Sequence, residues 1–332
     1  MAPVAPPTPV IVDTDGGVDD AAALWWALTD PALDVIAVTV VWGNVPLSTA
    51  AISVARVLAA AGRSDIPVAL GAAGPVGPAP DLRPATFIHG DDGLGNTTQG
   101  LAAPVVGAVS EPAVSVLARL CSERPAEVAV VTLGPLSNLG VLLDEEPGFA
   151  ATVRELVVMG GSARAGGNAL PNGEANVAHD PPAAAIVAAA AWTRPPLLVG
   201  LDVTMQATLT EDHFRLLAAH RSPAGAFLDA PLRFYRRFGA TLTGPDVPCH
   251  DLLAVMALAD PSIMTDAPVL PLAVDTAGGP SWGATVVDFR APAFARTAGS
   301  EQERPAGFEP WRISLEADVG RFRAQATALF GG

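Results

Sequence analysis

Asp13, Asp15, Asp19 and Asp20 place four carboxylates within eight residues near the start of the chain. Packed this closely they repel one another, and each raises the pKa of its neighbours unless something positive sits among them. A hard cation is the economical remedy, because Ca²⁺ and Mg²⁺ take oxygen ligands. Gly16 and Gly17 let the backbone bend so that several carboxylates converge. Helix capping and turn chemistry account for one or two acids at such a place, but hardly for four. The stretch therefore predicts a metal site.

Other residues suited to chemistry lie far along the chain. His250 precedes a fifth acid, Asp251, at the start of an apolar helical pattern, where a carboxylate could complete a metal shell. A lone histidine at a helix start is often only a packed or capping residue. His89 opens the glycine-rich run His89-Gly-Asp-Asp-Gly-Leu-Gly95. Asn168, Glu174 and Asn176 crowd one short interval; they are turn formers, yet side chains of this kind also suit the hydroxyls of a sugar. The cluster Phe234 to Phe238 reads as core.

The elements that must position these residues alternate strand and helix. Val10, Ile11 and Val12 form an apolar run ahead of the first acids, with a helix from about Asp19 to Thr29. Asp34 to Trp42 is a near-continuous β-branched run, as parallel strands buried on both faces are. Helical spacing over Leu47 to Gly62 and 114–121 and strand-like runs at 66–70, 128–133, 153–159 and 197–203 continue the alternation. The order predicts an α/β fold with a mostly parallel sheet and right-handed crossovers. Gly71 to Pro104 and Ser162 to Ala178 read as long loops, and Asp180-Pro-Pro as a capped helix start. Residues 211–258 read as mostly helical, 270–275 and 284–289 as edge strands, and Ile313 to Phe330 as a closing helix. No repeat or linker divides the chain, so one domain over residues 1–332 is expected. In such sheets ligands bind beyond the carboxyl ends of the strands, where all these polar groups fall.

Composition narrows the function. The net charge of −15, from 34 acidic and 19 basic residues, disfavours nucleic acid and anionic membranes as partners. All 19 basic residues are arginine, which excludes a Schiff-base, P-loop or kinase lysine. Cys121 and Cys249 are too few for a disulfide framework, and no Cys/His cluster has zinc spacing. With no basic leader in Met1 to Thr8 and no apolar run of membrane-spanning length, a cytoplasmic protein is expected.

Asp13-Thr-Asp15-Gly-Gly-Val-Asp19-Asp20 resembles the signature of the inosine/uridine-type nucleoside hydrolases, which release the base from a ribonucleoside using one Ca²⁺. The resemblance covers most of the chain. Val41-Trp-Gly43-Asn44, Leu133-Gly-Pro-Leu-Ser-Asn138, Val158-Met159-Gly-Gly161, Glu174-Ala-Asn176 with Asp180-Pro181, and His250-Asp251 follow in the family's order. It implies a Rossmann-like, mostly parallel sheet flanked by helices. It also implies that Asp15, Asp20, Asp251 and the Leu133 carbonyl hold Ca²⁺, with Asp15 also the general base. Asp19 and Asn176 would bind the 2′- and 3′-hydroxyls, and Asn168, Glu174 and Met159 the 5′ side. Asn44 would lie near the attacking water and C1′, with Asp13 supporting from behind. His250, and His89 from a mobile loop, are the available acids for the departing base. A histidine before this aspartate goes with pyrimidine-preferring or broad members, so His250 points to uridine, cytidine or a broad range; a role in purine or pyrimidine salvage and a homodimer or homotetramer are expected by the same resemblance. The chain departs from the family at Gly16, where proline is usual and glycine is expected to loosen the turn, and at Ala175, where an aromatic is usual. The loop from Met159 to Asn168 is one residue longer than expected.

Two other classes share some of these features. Asp13-Thr-Asp15-Gly16 begins like the nucleophile motif of haloacid-dehalogenase-like phosphatases, which leaves Asp19 and Asp20 without a role. A calcium- and ribose-binding module without catalysis is the second, although an EF-hand would need its glycine and closing glutamate at Val18 and Leu24.

Overall fold

Val10, Ile11 and Val12 are fully buried because their strand has a neighbour on each edge and a packed layer on each face. In the computed structural model, which describes residues 6–104, 107–242, 244–290 and 307–332, successive side chains of this strand feed two separate cores. Val10 and Val12 enter one, Ile11 the other, as the period of two requires. Residues 1–5, on which part of the leader reading rests, lie outside the described residues.

The strands in chain order are β1 (Thr8–Thr14), β2 (Leu33–Val40), β3 (Pro67–Leu70), β4 (Gly107–Ala108), β5 (Ala129–Thr132), β6 (Glu155–Met159) and β7 (Leu197–Val199). They continue with β8 (Thr208–Leu209), β9 (Val247–Pro248), β10 (Met264–Asp266), β11 (Val269–Val274), β12 (Thr285–Val287), β13 (Glu309–Ile313) and β14 (Glu316–Ala317). Ten of them form one sheet in the order β12-β11-β13-β7-β6-β5-β1-β2-β3-β4. Every pair from β13 through β4 is parallel, while β11 pairs antiparallel with both β13 and β12. The mostly parallel sheet flanked by helices is as expected. β8 with β9, and β10 with β14, make two small antiparallel ribbons.

β1 is the hinge of the topology. From it the chain builds outward through β2, β3 and β4 on one side, then returns to β5, β6 and β7 on the other. Such a reversal opens a crevice at the carboxyl ends of the strands, and the first acid cluster sits there. The helix Val18–Thr29 starts directly after β1, and the helix His250–Ala259 packs against it.

Several elements differ from the sequence expectation. The strand expected to reach Val203 stops at Val199, and Leu201–Thr204 is a short helix. The expected helix from Ile313 begins only at Val319; before it run β13 and β14, where Trp311 and Ile313 are buried with the period of a strand. Residues 211–258 divide into the helices Glu211–Ala218, Pro223–Leu242 and His250–Ala259, with β9 between the last two. The first long loop contains a short helix, Thr86–His89, and the second ends in another, Ala175–His179. Asp180 does cap the helix Pro181–Ala189, accepting the Ala183 N–H at 3.2 Å.

That helix packs on Ser137–Glu145 at Gly140, where an added Cβ would lie 2.7 Å from the Ala183 Cα. Alanine in a helix normally gains about 1 kcal/mol over glycine. Gly140→Ala is nevertheless expected to lose roughly 1–3 kcal/mol through overpacking, read as a lower urea midpoint; an unchanged or higher midpoint contradicts this packing.

Candidate active site

Asp13 faces inward from the end of β1, and its register neighbours are Thr39 on β2 and Thr132 on β5. Its Oδ1 accepts the Thr39 hydroxyl at 2.6 Å and the Asn138 amide at 2.7 Å, while Oδ2 is buried without a partner. Burial pushes its pKa up to about 6, opposed by those two hydrogen bonds. Asp13 does not line the cavity; it ties β1 to Asn138, whose Oδ1 accepts the Ala72 N–H at 2.8 Å.

The turn after β1 is locked rather than loosened by Gly16. Its φ of +71° lies outside what proline's ring allows, and its N–H donates to the Thr14 hydroxyl at 3.2 Å. The Thr14 hydroxyl in turn donates to Asp20 Oδ1, and the Gly17 N–H reaches Asp20 Oδ2 at 2.9 Å. Asp20 thereby begins the helix Val18–Thr29. Asn44, beyond β2, holds Asp15 by both backbone N–H (2.7 Å) and side-chain amide (2.8 Å), and the same amide lies 3.3 Å from Asp20.

Asp19, Asp20 and Asp251 each bring a carboxylate oxygen within 4.8 Å of the others, all buried. They come from the first turns of two packed helices, whose N-termini favour negative charge. That is not enough to neutralise them. Burial, then Asp20, pushes Asp15 well above the carboxylate range and Asp19 up to about 7. Burial, then Asp19, Asp20 and Asp15, does the same to Asp251. Among the described residues no arginine pairs with any of these acids; the nearest basic group is His89 Nδ1, 3.8 Å from Asp19. Burial lowers His89 to about 3, so it stays neutral and supplies no charge. An all-oxygen set of buried, uncompensated acids fits a hard divalent cation.

These acids adjoin a cavity of about 450 Å³. Of the residues singled out in the sequence, Asp19, Asn44, His89, Leu133, Met159, Asn168, Glu174, Asn176, His250 and Asp251 line it. Asp15 and Asp20 stand behind Asn44. Glu174 accepts N–H groups from Gly161, Asn176 and Val177 at 2.8 to 3.2 Å and so caps the helix Ala175–His179. That helix presents the Asn176 amide, which donates to the carbonyls of Leu133 (3.0 Å) and Met159 (3.1 Å). Asn168 Oδ1 accepts the Ala175 N–H at 2.9 Å, closing the longer loop onto the same wall.

His89 ends the short helix Thr86–His89 within the first long loop. It is buried, and its Nδ1 accepts the Val18 N–H at 3.1 Å. His250 begins its helix and opens on the cavity; burial lowers its pKa to about 4. Tyr235 stands beside them, its hydroxyl 3.5 Å from Asp19 and its ring 5.5 Å from His89. Phe238 lines the cavity one turn further along and meets Phe87 edge-on at 5.0 Å. The 234–238 cluster, read as core from sequence, thus also supplies cavity wall. The available signal was that Tyr235 is the chain's only tyrosine and shares a helix face with Phe238.

Comparison with known proteins agrees with this geometry. The profile of the family described as "Inosine-uridine preferring nucleoside hydrolase" matches residues 10–324. A non-specific ribonucleoside hydrolase RihC from Salmonella typhi is 37% identical over 327 residues, covering 97% of each chain. A probable uridine nucleosidase 2 from Oryza sativa subsp. japonica is 36% identical over 265 residues, 78% of this chain and 77% of that one. Among solved structures, a plant nucleoside hydrolase superposes with a TM-score of 0.89 at 32% identity, covering 98% of this chain and 100% of that one. A purine-preferring ribonucleoside hydrolase from Gardnerella vaginalis gives 0.83 at 27% identity over 98% of each chain.

If the acids want a cation, a divalent ion stabilises the fold. At one hundred times its Kd the gain is about 2.7 kcal/mol, seen as a higher melting temperature than in chelator, and Asp251→Asn shrinks that gain. Identical melting with and without ion contradicts the cluster as a metal site.

Proposed function

The chain belongs to the inosine-uridine preferring nucleoside hydrolase family and hydrolyses ribonucleosides to ribose and free base; we propose that it does so with Ca²⁺ held by Asp15, Asp20, Asp251 and the Leu133 carbonyl. The observation that carries this reading is the union, in one cavity, of buried unpaired acids with a wall of sugar-binding amides and carboxylates. When bound, the ion cancels the acids' repulsion and makes a nearby water easier to deprotonate.

The residues then divide the work. Asp15, oriented by two hydrogen bonds from Asn44, takes the proton of the attacking water. Asn44 lines the cavity beside it, next to the reacting C1′. Asp19 and Asn176 bind the 2′- and 3′-hydroxyls. Met159, Asn168 and Glu174 hold the 5′ side, with Glu174 fixed by three backbone N–H groups and Asn168 leaving its amide free for substrate. Breaking the N-glycosidic bond develops positive charge on the sugar, which the surrounding carboxylates favour.

The base departs with the electron pair of the broken bond and needs a hydrogen-bond donor. His89 and His250, both neutral near pH 7, are suited to give an N–H rather than a stored positive charge. Because His89 Nδ1 accepts the Val18 N–H, its own proton sits on Nε2. His250 before Asp251, together with relatives named for uridine and for non-specific ribonucleoside hydrolysis, supports a pyrimidine or broad preference and a place in nucleoside salvage. No helix among the described residues is long and apolar enough to cross a membrane. A homodimer or homotetramer, on family resemblance alone, and a cytoplasmic location, on the low cysteine count, complete the reading.

A reducing-sugar assay over uridine, cytidine, inosine and adenosine tests the preference. Turnover of the pyrimidine nucleosides at least equal to the others is expected, and turnover of purine nucleosides alone contradicts it. Asp15→Asn is expected to keep the circular-dichroism spectrum and lose roughly 10²–10⁴ in kcat; a rate near wild type removes Asp15 as the base.

A further inference from the structure

Thr204 closes the short helix Leu201–Thr204 that follows β7, and it is fully buried. Its Oγ1 lies 2.8 Å from His250 Nδ1. The direction of this hydrogen bond decides what His250 can offer the cavity. If the ring donated from Nδ1, the Thr204 hydroxyl proton would be buried with no acceptor, because none other is in reach among the described residues. A buried donor left unmatched is costly, so the hydroxyl donates and Nδ1 accepts. The one proton of a neutral ring then sits on Nε2, across the ring from Thr204.

His89 provides an independent parallel. Its Nδ1 is saturated by the Val18 backbone N–H, a group that can only donate. His89 and His250 therefore both have a donor at Nδ1 and keep Nε2–H free, whereas the third histidine on the cavity wall, His179, donates its Nδ1–H to the Ala175 carbonyl at 2.7 Å. For His89 the donor is a backbone N–H, which any substitution at Val18 other than proline leaves in place. For His250 it is a side chain.

The geometry points to Thr204 as a positioning residue that holds His250 in the Nε2–H tautomer and aims that N–H at the departing base. The inference rests on the reading of His250 as that donor. Thr204 does not touch substrate; it acts only through the imidazole. Without it the ring is free to place its proton on Nδ1, and Nε2 then presents a lone pair to a base that is gaining electron density.

Long-range ¹H–¹⁵N spectra of histidine-labelled protein, with His250 assigned through His250→Ala, read the tautomer directly. Wild type is expected to show Nε2–H at His250, and Thr204→Val a shift toward Nδ1–H. In the same variant kcat for uridine is expected to fall about 10- to 100-fold, part of the range of a lost acid catalyst, while Thr204→Ser stays within about threefold because its hydroxyl still donates. On 4-nitrophenyl riboside, whose leaving group needs no donor, Thr204→Val should lose far less. A wild-type ring protonated on Nδ1, or a Thr204→Val enzyme with unchanged tautomer and uridine kcat, overturns the inference. His250→Ala separates the two readings. Undiminished uridine turnover there removes His250 as donor, whereas a large loss there with none in Thr204→Val counts against Thr204 alone.

Discussion

Like charges buried together without a counter-charge are the constraint on which the rest of this molecule depends. Asp15, Asp19, Asp20 and Asp251 sit where water is largely excluded, and the histidines beside them, His89 and His250, are both held neutral by burial. Mutual repulsion in such a medium is several-fold stronger than at a surface. The fold answers it partly with donors: the Gly17 N–H and Thr14 hydroxyl on Asp20, and the Asn44 amide between Asp15 and Asp20. Two helix N-termini add their partial positive charge. What these leave uncompensated is the driving force for binding an ion, and the same negative field suits a sugar that becomes positive as its base leaves.

The architecture delivers this arrangement cheaply in chain length. Because β1 lies where the strand order reverses, the residues after it meet the ends of β2 on one side and β5 on the other. Asn44, Leu133 and Met159 arrive from the ends of β2, β5 and β6 without special loops. Asp13, one residue pair behind the working acids, anchors the reversal through Thr39 and Asn138 and is sealed from the cavity. The second wall is built by capping: Glu174 starts the helix that presents Asn176, and Asp180 starts the next, which packs on Gly140.

How much of this was legible depends on sequence distance. The first acids stand out because they crowd eight residues, and the strands around them because parallel, doubly buried strands are continuous apolar runs. His250-Asp251 and the Asn168 to Asn176 interval carry their chemistry in residue types, and resemblance ordered them. Tyr235 and Thr204 were not visible, since their partners, Asp19 and His250, lie 216 and 46 residues away. The short helix at His89 is too brief to show a helical period. β13 was hidden because its alternation, Trp311 and Ile313, runs straight into the helical pattern that follows. Gly16 misled in the other direction: glycine suggests looseness in a sequence, but here its positive φ and its N–H to Thr14 fix the turn.

On the proposed mechanism the buried acids work by holding one divalent cation. The direct measurement is ion content against turnover: the enzyme is stripped with chelator, reloaded stepwise with Ca²⁺, and assayed on uridine while bound metal is counted by mass spectrometry. No turnover is expected in the stripped enzyme, with activity rising in proportion to occupancy up to one ion per chain. Full uridine hydrolysis with no bound metal would contradict it.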